Sequence, residues 1–229
     1  LDRWRHFPSY QLERRADIFF ALYLREVLAA ETGVALASTM IPELPLKRDL
    51  IWPDKPTSKS VKVDYALFAE DGSQAFFVEL KTDAGSRRPE QDEYLERACQ
   101  LGFRSIVAGI RDIVLATTAH QKYHHLVMAL AELGFLSVPD ALSAYVYPQP
   151  RPGRKKHLEA VDVGERDCPV SCRYLQPGAS PGDRCIDFAT FAAHVDQHPD
   201  PLSKLFAAHL RRWTTPAGAS PPLRSQSAG

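Results

Sequence analysis

The chain has 229 residues, 45% hydrophobic and 24% charged, enough for one compact core with a smaller addition. Its 28 basic and 28 acidic residues cancel, which excludes a histone-like protein drawn to phosphate over its whole surface. The longest apolar run, Ile18 to Leu24, is far short of the roughly 20 residues needed to cross a bilayer, so no membrane partner is expected.

Tyr10 to Thr32 is predicted as a helix: Leu12, Ala16, Phe19, Phe20, Tyr23, Val27 and Ala30 recur at helical spacing before Gly33. Val34 to Leu46 is apolar but broken by Pro42 and Pro45, which predicts an irregular strand, followed by a loop over Lys47 to Ser60. Val61 to Phe68 alternates at strand period, Asp71-Gly72 is a favoured two-residue turn with positive φ, and Gln74 to Lys81 returns as a second strand.

Beyond Pro89, Glu90 to Leu101 is predicted helical, Ser105 to Ile110 a strand, His120 to Leu133 a helix ended by Gly134, and Ala144 to Tyr147 a last strand. This order predicts an α/β fold with a mixed central sheet flanked by helices. It divides into a core over 1–150, a small basic and helical appendage over 151–213 and a disordered tail over 214–229. Within the appendage, Phe188 to Asp196 and Leu202 to Trp213 carry helical patterns.

Counting back from Asp71-Gly72 sets Asp64 directly across from Glu79 and Lys62 across from Lys81. Glu79 and Lys81 share one face, and Val63–Leu80, Tyr65–Val78 and Leu67–Phe76 make an apolar layer on the other. Two facing carboxylates repel unless a cation lies between them. Such hard oxygen ligands suit Mg²⁺ or Mn²⁺, which takes one or two carboxylates plus waters and substrate phosphate. A lysine beside them can orient a water or offset charge at phosphorus.

Asp64, with Glu79-Leu80-Lys81 fifteen positions later on the next strand, resembles the PD-(D/E)XK nuclease superfamily. The resemblance runs from about Tyr10 to Ile110, with Val63 standing where the eponymous Pro would be. It implies a restriction-endonuclease-like core (α-β-β-β-α-β) and a Mg²⁺- or Mn²⁺-dependent hydrolase of DNA phosphodiesters, acting in repair, recombination or restriction. It further implies that Asp64, Glu79 and the Leu80 carbonyl hold metal, and that Lys81 aids the attacking water. An acid on the first helix, Glu13 with Glu26 as rival, would complete the site. Gln91 and Tyr94 resemble the Gln and Tyr of an exonuclease-like branch at one residue shorter spacing. Arg87 and Arg88, six and seven residues after Lys81, are the candidate phosphate contacts, together with Tyr94; the basic run Arg151 to His157 is a further one.

Two other readings stand beside this one. The first is a nuclease-fold binding module without catalysis. The second is a zinc-stabilised interaction protein built on Cys168, Cys172, Cys185, His194 and His198. The loose cysteine spacing argues against zinc, and His120 with His124 reads as a half-exposed helical face. Four cysteines and no secretory leader predict reduced thiols without a disulfide framework and a cytoplasmic location, and an opening Leu1 suggests residues upstream.

Overall fold

The apolar stripe read near the start of the chain forms α1 (Leu12–Thr32), which buries Ala16, Phe20, Leu24, Val27 and Leu28. Gly33, at φ 69°, ends it and donates its N–H back to the Ala29 carbonyl. The structure is a computed structural model that describes residues 12–54, 60–82, 87–118, 120–143, 154–178 and 184–214. After α1 come β1 (Ile41–Lys47), a single turn α2 (Arg48–Ile51), β2 (Ser60–Phe68) and β3 (Ala75–Leu80). Next are α3 (Pro89–Leu101), α4 (Phe103–Ala116), a 3-10 turn (His120–Tyr123) and α5 (His124–Glu132). The small elements β4 (Leu136–Ser137), α6 (Asp140–Ser143), α7 (Arg154–Glu159) and β5 (Asp162–Val163) follow. The described chain closes with β6 (Val170–Gln176), β7 (Cys185–Asp187), α8 (Phe188–Val195) and α9 (Pro201–Trp213).

Five strands make a mixed sheet in the order β1-β2-β3-β6-β7, antiparallel from β1 to β3 and parallel from β3 to β7. On one face α1, α8 and α9 pack Phe20, Phe188, Phe191 and Phe206 against Tyr65, Phe76, Val78 and Leu175. On the other, α3 and α4 pack Tyr94, Phe103, Ile106 and Ile110 against Phe68, Phe77 and Val170. β3 lies in the middle and every residue of it is buried, as its apolar run demands. Glu79 is the one charged residue in that run, so it cannot be a solvated surface charge.

Ser105 to Ile110, expected as a strand, is part of α4. Phe103, Ile106, Val107, Ile110 and Val114 are its buried apolar side chains and keep helical spacing over about three turns, a period a six-residue window hides. The parallel strand beside β3 is instead β6, from the stretch expected as an appendage. With β7, α8 and α9, that stretch shares the sheet and core of the first half. The loop expected over 47–60 contains α2, while the strand expected over 144–147 and the tail over 215–229 lie outside the described residues.

The hairpin keeps the expected register, Tyr65 opposite Val78 and Leu67 opposite Phe76, through a different turn. Asp71 does not take positive φ; Gly72 alone does, at 73°. Glu70 donates its N–H to the Ala35 carbonyl, and Ala69 and Gln74 close a four-residue loop in which the Asp71 carboxylate accepts from Ser73 N–H.

Cys99 of α3 and Cys172 of β6 form a disulfide, contrary to the expectation that all thiols are reduced. That bond separates Cys172 from Cys168 and Cys185, which are in no disulfide. His194 and His198 of the suggested zinc set instead face Glu31 at 2.9 Å and Glu26 at 3.2 Å, joining α8 and the turn after it to α1. His124, read as half-exposed, is buried at the start of α5. Among the described residues no helix is long and apolar enough to cross a membrane.

Candidate active site

β1 and β2 both change direction at one place, and the site is built there. Side chains two apart on a strand share a face. Yet Val63 packs with α3 and α4, whereas Tyr65 and Leu67 pack with α1. The strand therefore switches faces at Asp64. On β1, Glu43 is at φ 50°, the one non-glycine residue with positive φ among those described. The ladder runs Pro42–Tyr65 and then Leu44–Val63, so Glu43 and Asp64 face each other unpaired between them. This shared kink also ends the β2–β3 ladder at Tyr65–Val78, one pair before Asp64 and Glu79. The expected Val63–Leu80 pair is lost, because the two residues lie in opposite cores.

Released from the ladder, the Leu80 N–H donates to Asp64 Oδ2 at 2.7 Å. The Asp64 carboxylate is thus anchored on the backbone between Glu79 and Lys81. Glu79 is 2% exposed and Lys81 4%, and Lys81 Nζ donates to Glu79 Oε1 at 2.9 Å. Gln91 Nε2 donates to the same oxygen at 2.7 Å, and the Tyr94 hydroxyl to Glu79 Oε2 at 3.3 Å. A buried carboxylate needs such partners, since an unpaired one is expensive to desolvate. Gln91 and Tyr94 occur three residues apart on α3, so one turn of helix brings both to Glu79. Pro89 at the first turn of α3 fixes where that turn begins.

The electrostatics follow from this arrangement. Burial raises the Asp64 pKa above the usual carboxylate range, opposed by the Leu80 N–H and the Lys81 charge, and the nearby Asp17 and Glu43 charges raise it further. Asp17, on α1, is likewise raised by burial and by Glu43. The Tyr94 phenol is driven upward by burial and by the Glu79 and Asp64 charges, so it stays protonated and donates. Removing the charge at Asp64 relieves both penalties, so in chelator Asp64→Asn melts a few degrees above the wild-type protein. Melts in chelator and in Mn²⁺ check this: the wild type gains stability from the metal and the variant much less. A variant that melts lower and responds to Mn²⁺ like the wild type makes Asp64 a structural acid.

Sequence reasoning missed three of the neighbours. Asp17 is the α1 acid whose charge reaches Asp64; it sits one helical turn after Glu13, whose side chain lies outside the described residues. Glu26, the rival, turns to His198 instead. Glu43 was hidden in an irregular Pro-Glu-Leu-Pro stretch, and only its unpaired position opposite Asp64, between the Pro42–Tyr65 and Leu44–Val63 pairs, reveals it. Tyr174 lies next to Glu79 across the parallel β3–β6 pair, and its hydroxyl donates to Asp92. Arg87 joins that group, with Nε 2.9 Å from Asp92 Oδ1 and its guanidinium 4.1 Å above the Tyr174 ring. These three line a cleft of about 570 Å³ with Arg184. Arg88 is exposed at the entry to α3, whereas Tyr94 is buried and acts on Glu79 from inside.

Among the described residues no three His, Cys, Asp or Glu side chains form a metal-binding group. A Mg²⁺ or Mn²⁺ site asks for less, one or two carboxylates with waters completing the shell. Asp64 and Glu79, with the Leu80 main chain between them, supply hard oxygen donors of that kind, and the raised Asp64 pKa is a penalty that a cation offsets. Comparison with known protein families, curated proteins and solved structures finds no match to this chain.

Proposed function

We propose that the chain hydrolyses phosphodiester bonds of DNA with Mg²⁺ or Mn²⁺ held by Asp64, Glu79 and the Leu80 carbonyl. The observation that carries this reading is a buried Glu79–Lys81 pair, held by Gln91 and Tyr94, with the Asp64 carboxylate docked on the Leu80 N–H. The end of a central strand does not hold a buried pair of opposite charges for stability, because well-packed apolar residues would serve as well or better. Groups positioned at such cost suit chemistry. A helix, three antiparallel strands and then a parallel fourth strand supports the restriction-endonuclease-like core that the PD-(D/E)XK resemblance implies.

When bound, the metal would polarise the scissile phosphate and lower the pKa of a water. The chain's own residues do the rest. Gln91 and Tyr94 hold the Glu79 carboxylate in one rotamer, as outer partners commonly do for ligands. The Lys81 ammonium places a fixed positive charge where negative charge develops on the phosphoryl oxygens. Arg87, braced by Asp92 and Tyr174, presents a cation at the edge of the site for the DNA backbone. Incubating the protein with linear, circular and single-stranded DNA in Mg²⁺, Mn²⁺ and chelator tests the reading. Metal-dependent cleavage supports it; binding without cleavage in either metal assigns the chain to the non-catalytic module.

A further inference from the structure

A second cleft, of about 460 Å³, opens on the other side of Asp64, between the outer edge of β1 and the 3-10 turn leading into α5. Its walls are apolar: Pro42, Pro45, Tyr123 and Leu126 line it. Its rim is basic, with Lys62 and Lys122. It adjoins the candidate centre through two residues. Glu43, which faces Asp64 across the strands, is in its lining and pairs with Lys62. The Lys62 carbonyl accepts the Tyr94 hydroxyl that also reaches Glu79.

We infer that this cleft is a nucleotide subsite, holding the residue of the substrate strand next to the scissile phosphate; this rests on the reading of the centre as a nuclease. Three observations choose the occupant. The volume falls within the range of small-molecule pockets and accommodates one nucleotide. An aromatic ring and aliphatic side chains beside Lys122, with Lys62 held by Glu43, match a flat apolar base joined to an anionic phosphate. β1 is an edge strand whose Pro42 and Pro45 carry no N–H, so it is a poor template for an added peptide strand. Tyr123 stacks on the base, and Lys122, exposed on the 3-10 turn, meets the phosphate.

The test uses a fluorescein-labelled oligothymidylate, with binding followed by anisotropy in chelator and cleavage followed in Mn²⁺. Tyr123→Leu keeps the apolar packing but removes the ring and weakens binding about 5- to 100-fold, with an unchanged salt dependence. Tyr123→Phe binds as the wild type does. Lys122→Ala weakens binding and lowers the slope of log affinity against log salt by about 0.7, the loss of one single-strand phosphate contact. In both weakened variants KM rises while kcat and the melting temperature hold. If a cleaving wild type binds and cleaves no better than Tyr123→Leu and Lys122→Ala, the subsite is overturned and the centre stands. If the wild type does not cleave but still binds through Tyr123 and Lys122, the hydrolytic reading falls and the cleft stands as a nucleotide-binding site without a scissile phosphate beside it. A wild type that neither binds nor cleaves overturns both.

Discussion

Lys81→Ala loses DNA cleavage by at least about 10²–10³-fold, the usual cost of removing one fixed charge from a transition state. Lys81 is 4% exposed and held by Glu79, so its charge acts in a poorly screened place. Glu79→Gln reduces cleavage as severely by removing a charged ligand, while its amide oxygen still accepts from Gln91. Glu79→Ala does further damage. It leaves the Lys81 ammonium buried beside a void, and breaking one half of a buried pair, as Lys81→Ala also does from the other side, costs about 3–5 kcal/mol. Urea melts of the three variants beside gel-based cleavage assays separate these effects. If Lys81→Ala cleaves like the wild type, Lys81 serves only to neutralise Glu79.

The largest loss of stability away from the site is expected at Phe20. Its ring is fully buried, 5.2 Å from Phe188, 5.3 Å from Phe191 and 5.3 Å from Phe206, so it joins α1 to both α8 and α9. Phe20→Ala removes the ring and leaves a cavity among three others, a change that costs about 3–5 kcal/mol. At about 2–4 °C per kcal/mol for a chain of this size, the melting temperature falls by about 6–20 °C. Cleavage at low temperature stays near the wild-type rate, because Phe20 packs in the core under α1, α8 and α9, whereas Glu79 is held by Gln91 and Tyr94 of α3. A loss below about 1 kcal/mol means that α8 and α9 do not depend on α1 for their packing. That would separate the second half of the chain from the first.

Lys81 was legible beside Glu79 because the two are two residues apart at the end of β3, and the hairpin register follows from Asp71-Gly72 even though the turn itself differs. Gln91 and Tyr94 came from the resemblance, and their spacing of three on α3 lets both reach Glu79. What was not legible depends on partners far along the chain. Val170 to Gln176 becomes a central strand because β3 lies beside it, and Ser105 to Ile110 becomes helix because five apolar residues on α4 need one core. The Glu43–Asp64 kink takes two strands at once, and alternation within either one predicts a regular ladder. Nothing in the helical pattern marks Asp17, one turn after Glu13, and only the position of α1 against β2 brings its charge near Asp64. The Tyr65 hydroxyl fixes that position by donating to the Asp17 carbonyl at 3.0 Å. Cys172 was grouped with Cys168 by proximity in sequence, yet it bonds Cys99, 73 residues away.

The central claim is that Asp64 and Glu79 hold the metal while Lys81 acts on the phosphate. Calorimetric titration of Mn²⁺ into the wild type, Asp64→Ala, Glu79→Gln and Lys81→Ala tests it most directly. The account predicts that the wild type binds Mn²⁺, that both acid variants bind much more weakly, and that Lys81→Ala binds as tightly or more so, since a nearby positive charge is gone. Equal Mn²⁺ affinity in all four proteins, or no binding by the wild type, would contradict it.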